Sequence, residues 1–593
     1  MRQVARHFDS LVAAGAADMG DALAFRARER PLAPALVSLD RGEAPLPPVT
    51  YGALHARARV VAAGLRARLA PGARVLLAFP AGAAFVEALF GCFYAGVIAV
   101  PAPPVRGARA GARAAAMARD CDAALLLGEE GDGDAGVPRL CLDALIAGGV
   151  EDGVDAPRAP GDVALLQYTS GSTGAPKGVA ITHRAIWCNQ AVISTSFDHV
   201  EGVTLVGWLP NFHDMGLIGN LLQPIYAGGV SVMMAPTAFM QRPLRWLRAI
   251  SEWRAHTSGA PNFAYDLCVR AATAENTAGL DLSCWRVAFN GAEPIRPATI
   301  EAFAQRFAAH GFQRKAMMAC YGLAESTLMV AGAPVDAPPV VVHAGRDQLA
   351  AGVLAPPAPG EAARALVSCG DSVAGARIVI ADRVTGAPLA DGAVGEVCVR
   401  SPSVCAGYWN RADASAALWR TIEGEAFLCT GDLGARTSQG LFIVGRMKDV
   451  IILQGRNVHP ADIEAAVETA LAPVGVLRAV AARAELPGGE GVALFAELAR
   501  EALRGLAAES SWERLAQRLR AAAMDAAEAP LAGVVLLKPG AAPLTSSGKP
   551  RRGRCLAAFQ AGTLPGVVWR DAGAVRLIAG AEAAGAAAPA ADA

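Results

Sequence analysis

The sequence has no pair of cysteines at Cys-x-x-Cys spacing, although it holds 12 cysteines in all. That argues against a zinc site and against a disulfide framework. The scattered cysteines read as reduced thiols of a cytoplasmic enzyme. Net charge is also missing: Lys plus Arg total 54 in 593 residues, and so do Asp plus Glu. No broad basic field gathers nucleic acid or anionic lipid. A long apolar run is lacking too. The most apolar stretch, GCFYAGVIAVPAPP (91–104), is broken by Gly and Pro, whereas a spanning helix needs about 20 apolar residues. The 53% hydrophobic fraction owes much to alanine, which favours helix and is only weakly apolar. No stable membrane insertion is expected. The opening MRQVARHFDSLVAAGAADMGD has early acids and no continuous apolar core, so no signal peptide is expected.

What is present is alternation. The chain is too long for one hydrophobic core, so at least two domains are expected. Short apolar runs such as ARVLLAFP (73–80), DVALLQY (162–168), VTLVGWLP (203–210), GVSVMMAP (229–236) and CWRVAFNGAEP (284–294) read as strands. Helical patterns such as GAAFVEALFGCFYAG (82–96) lie between them. This rhythm implies an α/β fold with largely buried parallel strands. In LHARARVVAAGLRARLA, Leu54, Val61, Leu65 and Leu69 recur near helical spacing, which predicts a surface helix. Residues 332–365 are Pro-rich and predict a loop-rich insertion. From about residue 445 a compact terminal domain is expected, with a strand at GVALFAEL (491–498) and a helix at SSWERLAQRLRAAAMDAAE (510–528). The Ala- and Gly-rich tail 571–593 is expected to fray.

The stretch LQYTSGSTGAPKGVAITH (166–183) concentrates hydroxyls and glycines around one lysine. It is not a Walker A loop: Lys177 follows Pro176, Gly178 comes next, and the β-branched VAIT reads as strand. The pattern describes a strand–loop–strand phosphate cradle. Gly171, Gly174 and Gly178 permit close backbone approach, and Thr169, Ser170, Ser172 and Thr173 offer hydroxyl donors. A plain surface loop is the other reading of this stretch alone.

This loop resembles the signature of the adenylate-forming superfamily, and five further segments resemble that superfamily's motifs in order. They are NGAEPI (290–295), YGLAEST (321–327), TGDLG (430–434), GRMKD (445–449) and LTSSGKPRR (544–552). The phrasing of LPNFHDMGLIGNLLQPIYAGG, SGAPNFAYDLC, FNGAEPI and GRNVHPADIE is similar to that of the fatty acyl-AMP ligases, whose characteristic insertion falls at 332–365. His459 stands where that resemblance leads one to expect tyrosine. The implied fold is a large N-terminal adenylate-forming domain (about 1–447), with parallel sheets flanked by helices plus a β-barrel-like subdomain. A small mobile α+β C-terminal lid domain (about 448–570) follows.

The resemblance implies that a fatty acid, ATP and Mg²⁺ give an acyl-adenylate and pyrophosphate. The acyl group then passes to the phosphopantetheine thiol of an acyl carrier protein in trans. A long-chain acyl-CoA synthetase, with CoA as acceptor, and a nucleotide-binding scaffold are the alternatives. By the same resemblance, Thr169, Ser170, Gly171, Ser172, Thr173, Gly174 and Lys177 hold the departing phosphates. Gly291, Ala292, Glu293, Tyr321 and Gly322 form the adenine site, while Asp432 and Arg446 take the ribose. Glu325 binds the metal. Lys549 bridges the substrate carboxylate and the α-phosphate, and Lys448 is the hinge. His213, a catalytic candidate with Lys549 and Glu325, stands at the mouth of the acyl pocket. Asp214, Met215, Gly216 and Ile218 line that pocket with it, and Phe263, Ala264 and Tyr265 form another wall. On the residues alone, Tyr321 could be core, Glu325 a helix cap, Asp432 a turn cap, and Lys549 part of a solvated basic tail with Arg551, Arg552 and Arg554.

Overall fold

The computed structural model describes residues 8–129, 133–147, 155–169, 176–453, 456–486, 489–505, 509–527, 531–545, 549–571, 573–574 and 577. Two large sheets form from the apolar runs. In one, Arg74–Ala78 is central, with Ile98–Pro101 and Ala123–Gly128 parallel on either side. Val163–Thr169 continues the parallel run, and Lys177–Thr182 turns back antiparallel against it. The other sheet has a parallel centre ordered Pro34–Asp40, Val230–Met234, Thr204–Gly207, Thr257–Ala260, Val287–Asn290, Met317–Gly322. Strands buried on both faces need apolar residues at consecutive positions, and Val75, Leu76 and Leu77 are all fully buried.

The helices Tyr51–Arg66, Ala83–Ala95 and His183–Ser196 share one hydrophobic core with residues of both sheets. The first was expected at the surface. Its Tyr51, Leu54, Ala58, Val61 and Leu65 form a buried stripe, so it is amphipathic, as the spacing predicts. Its start is fixed by Thr50, whose hydroxyl accepts from the Ala53 N–H. Thr182 caps His183–Ser196 in the same way, supplying an acceptor to an otherwise orphaned first-turn N–H.

A third sheet is antiparallel: Arg377–Ala381, Gly395–Arg400, Glu425–Thr437, Trp419–Ile422 and Gly440–Arg446. The 13-residue strand Glu425–Thr437 pairs with Trp419–Ile422 along its first part and Gly440–Arg446 along its second. This sheet stands where the barrel-like subdomain was expected; among the described residues its pairings leave it open rather than closed.

The C-terminal domain is α+β. Val476–Leu486, Gly489–Leu498, Leu531–Leu537 and Val567–Arg570 form a mixed sheet. Strand alternation sends Ala479 and Ala481 to a core shared with helices Pro460–Leu471 and Glu509–Ala527. Val480 and Ala482 go to a second core shared with Arg552–Gln560. Among the described residues, neither core includes anything before Ile451, and no earlier cluster includes anything after Val450.

One expectation gains detail and another changes. The Pro-rich segment is loop over most of its length, as expected, but it also carries a hairpin: Val341–Gly345 and Ala363–Val367 pair over five positions, with the helix Arg346–Ala350 between them. Val341, Val342, Leu366 and Val367 supply the β-forming ends that the prolines mask. The start of the expected tail is tied down. Asp571 pairs with Arg520, and Ala574 and Leu577 are buried against Leu556 and Phe559.

Candidate active site

A cavity of about 2170 Å³ opens at the carboxyl ends of Val287–Asn290 and Met317–Gly322, where open α/β sheets bind ligands. The antiparallel sheet and the C-terminal domain close its other sides: Asp432 and Arg446 from one, His459, Glu464 and Lys549 from the other.

Asp432 is nearly buried and holds two donors. The Tyr321 hydroxyl donates to its Oδ2 at 2.8 Å, and Arg446 Nε donates to its Oδ1 at 2.9 Å. Its own N–H donates to Thr430 Oγ1. Burial, reinforced by the Asp432 charge, pushes the Tyr321 hydroxyl far above its ordinary range, so Tyr321 is a lasting donor. Gly291 lies close to the Cys320 carbonyl, 3.0 Å from where a Cβ would stand, and Ala292 follows at φ 68°. A non-glycine residue in the left-handed region is strained, and such strain gathers at functional sites. Glu293 accepts from the Phe263 N–H, and burial raises its carboxyl.

Thr169 pairs with Lys177 at the loop end of the strand hairpin, and both line the cavity. Ser170, Gly171, Ser172, Thr173 and Gly174 lie outside the described residues. Lys177 Nζ sits 5.0 Å from the centre of the Tyr408 ring, and the Tyr408 hydroxyl donates to Glu325 Oε1 at 2.7 Å. Glu325 lines the cavity, and a carboxylate there is the kind of oxygen donor that a hard cation such as Mg²⁺ takes. Tyr408 has no motif around it, and the sequence reading missed it.

His213 Nδ1 lies 2.6 Å from Asp214 Oδ1, which also accepts from the Met215 N–H. Burial pushes the Asp214 carboxyl up, but His213, this N–H and Lys549 outweigh it, and the net shift is downward. Burial lowers the Lys549 ammonium, as does Arg446, while Asp214, Asp432 and Glu293 oppose them. Lys549 is thus inside the electrostatic reach of three acids from the large domain. Gly322 and Lys448 also line the cavity.

Four expected pocket residues do not reach it. In helix Asn262–Ala271, Phe263, Asp266 and Arg270 face the cavity at helical spacing. Ala264 and Tyr265 point the other way, into an aromatic cluster where Tyr265 donates to the Phe289 carbonyl. Met215–Leu222 is a π-helix, and Met215 and Gly219 face the cavity. Ile218 is in the core. Gly216 meets the Pro210 carbonyl so closely that a Cβ would stand 2.1 Å from the oxygen.

Charge pairs join the C-terminal domain to the rest. Arg364 Nε lies 2.9 Å from Asp462 Oδ1, and Arg296 Nη1 lies 2.8 Å from Glu468 Oε2. The His459 ring packs against Gly445.

The model of the AMP-binding enzyme family matches residues 23–409. The chain belongs to the AMP-binding enzyme family, among the fatty acyl-AMP ligases. It is 35% identical over 567 residues to the medium-chain-fatty-acid–[acyl-carrier-protein] ligase JamA of Moorena producens, covering 92% of this chain and 95% of that one. With TtuA of Teredinibacter turnerae, a ligase of the same description, identity is 33% over 588 residues, covering 89% and 91%. A solved structure of a fatty acyl-adenylate ligase from L. pneumophila, in complex with acyl adenylate and pyrophosphate, superposes with a TM-score of 0.73. Identity there is 30%, over 96% of this chain and all of that one. The AMP-binding match ends before Asp432, Arg446 and Lys549; the full-length relatives extend the likeness over the C-terminal domain.

Proposed function

We propose that this chain activates a fatty acid with ATP and passes the acyl group to the phosphopantetheine thiol of an acyl carrier protein on another polypeptide. One observation carries the reading: Lys549 of the C-terminal domain shares a cavity with Asp214, Glu293 and the Tyr321–Asp432–Arg446 cluster of the large domain. The names of the relatives support the substrate and the acceptor.

In the first half-reaction a carboxylate oxygen attacks the α-phosphorus, and the bond to the β-phosphate oxygen breaks. Both reactants are anions, so the site must align them and neutralise charge. Lys549 places an ammonium between carboxylate and α-phosphate. Asp432, steadied by Tyr321 and Arg446, accepts from the ribose hydroxyls, and the segment Gly291–Ala292–Glu293 with Tyr321 holds the base. Thr169 and Lys177 start and finish the phosphate loop. Glu325 would hold Mg²⁺, which supplies charge neutralisation on the leaving pyrophosphate. Asp214 orients His213 at the entrance used by the acyl chain, with Met215 and Phe263 beside it. In the second half-reaction the carrier thiolate attacks the acyl carbonyl, and AMP leaves. Residues 448–570 act as a lid turning near Lys448, carrying Lys549 away to admit the thiol.

Enzyme, ATP, Mg²⁺ and a fatty acid ladder, with CoA or holo-carrier protein, give products readable by mass. Acyl-adenylate followed by acyl-carrier is expected; abundant acyl-CoA would move the acceptor to CoA, and no adenylate would leave a nucleotide-binding scaffold.

A further inference from the structure

Cys398 and Cys429 stand directly opposite one another on neighbouring antiparallel strands, with their sulfurs 3.7 Å apart. The Cys429 N–H donates to the Leu418 carbonyl at 2.7 Å, toward the strand on its other side. The two cysteines therefore form a non-hydrogen-bonded cross-strand pair, whose Cα atoms approach to about 4.5 Å. That lies within the span of about 4.4–6.8 Å over which a disulfide closes. To bond, the sulfurs must close from 3.7 Å to about 2.05 Å.

The pair sits next to the nucleotide site. Thr430 follows Cys429 and donates to the Val397 carbonyl at 2.8 Å; its hydroxyl in turn accepts from the Asp432 N–H. Gly431, at φ 70°, donates to Glu396 Oε1 at 3.1 Å. The segment that presents Asp432 is thus built from the residues adjoining the two cysteines, Thr430 and Gly431 after Cys429 and Glu396 and Val397 before Cys398, where the strand pairing bulges.

We propose that Cys398 and Cys429 are a peroxide-sensitive pair that closes into a reversible disulfide and, by drawing on this turn, weakens nucleotide binding at Asp432. The second half rests on the reading of Asp432 given above. Cys429 is the attacking sulfur. It is partly exposed while Cys398 is buried. The hydrogen bond from Cys398 lowers its thiol, burial and Glu396 oppose this, and Arg420 assists. The Cys429 thiolate attacks one peroxide oxygen, the O–O bond breaks, and the departing hydroxide takes a proton to become water. The Cys398 sulfur then attacks the sulfenic acid at Cys429, losing its proton, and a second water leaves. One hydrogen peroxide is reduced, two thiols are oxidised, and a dithiol reductant reverses the step. Glu396 lies within 4.8 Å of both sulfurs, a spacing that could also hold a metal. Its oxygens are already engaged by the Gly431 N–H and, at 3.7 Å, by Arg420, whose charge opposes a cation.

The full-length chain is treated with hydrogen peroxide, its remaining thiols are alkylated, and peptides are mapped by mass without reduction. A Cys398–Cys429 cross-link is expected, with KM for ATP in pyrophosphate release raised about tenfold, the scale of losing one charged hydrogen bond, and restored by dithiothreitol. Cys398→Ser and Cys429→Ser should keep the untreated activity and lose the response. Absence of the cross-link overturns the proposal. So does a cross-link with unchanged KM, a Cys398→Ser chain that responds like the parent, or one equivalent of zinc that is lost in Cys398→Ser. An untreated chain that releases no pyrophosphate would instead refute the adenylation reading, and the mass map would still report on the pair.

Discussion

The Tyr321 hydroxyl donates to Asp432 Oδ2 at 2.8 Å, while the other carboxylate oxygen faces Arg446. An acid held from both sides keeps its orientation before any nucleotide arrives. Tyr321→Phe keeps the ring and removes the hold. A hydrogen bond to a charged group is worth about 1.5–3 kcal/mol, so KM for ATP should rise about tenfold or more, with a smaller change in kcat. Unchanged KM would mean that the ring alone matters.

Lys549→Ala should lower adenylation by about 10²-fold or more, the scale for losing one preorganised electrostatic donor. Transfer from chemically supplied acyl-adenylate to the carrier thiol should persist. Full pyrophosphate release by the variant would contradict the assignment.

The Arg364–Asp462 pair joins the hairpin strand Ala363–Val367 to the helix Pro460–Leu471, with side chains only 12% and 24% exposed. Arg364→Ala leaves a half-buried carboxylate without its partner, a smaller loss than the about 3–5 kcal/mol of a deeply buried pair. The C-terminal domain should dock less firmly, so adenylation falls more than thioester formation. Equal loss in both half-reactions would point to general misfolding.

His199 is buried, bonded through Nε2 to Thr257 and through Nδ1 to the Gln223 amide. Burial, with His256 assisting, holds it down to about 3. The folded chain therefore keeps it neutral where an unfolded chain, below about 6.5, takes up a proton. Its contribution is whole above that value and is lost as pH falls toward 3, at up to about 1.4 kcal/mol per pH unit. Melting curves across pH 7 to 5 should show Tm falling, with a shallower fall in His199→Gln. Equal slopes would assign the acid sensitivity to other groups.

The strands were legible because runs such as ARVLLAFP are short, apolar and bounded by Gly or Pro. The hairpin inside 332–365 was not, because its β-forming residues are separated by the prolines that dominated the composition. At the site, Tyr321 and Asp432 lie in motif-like segments 111 residues apart, and the chain gave each away separately. Tyr408 had no such segment. Its link to Glu325, across 83 residues, exists only in three dimensions. The pocket wall at 263–265 was named as a run, but a helix turns 100° per residue, so Phe263 faces the cavity while Tyr265 fastens the helix to the sheet.

The greasy interiors on either side of Val450 and Ile451 share no member among the described residues. Swinging one half of the molecule away from the other therefore opens neither interior. What must be undone includes the arginine–carboxylate contacts of Arg296 with Glu468 and Arg364 with Asp462, the bond from Arg346 to the Asp525 carbonyl and the packing of His459 on Gly445. The more open of the two ion pairs, with Arg296 40% exposed, is the one that salt screens, so ionic strength should act on the catalytic cycle by shortening the time the two halves stay together.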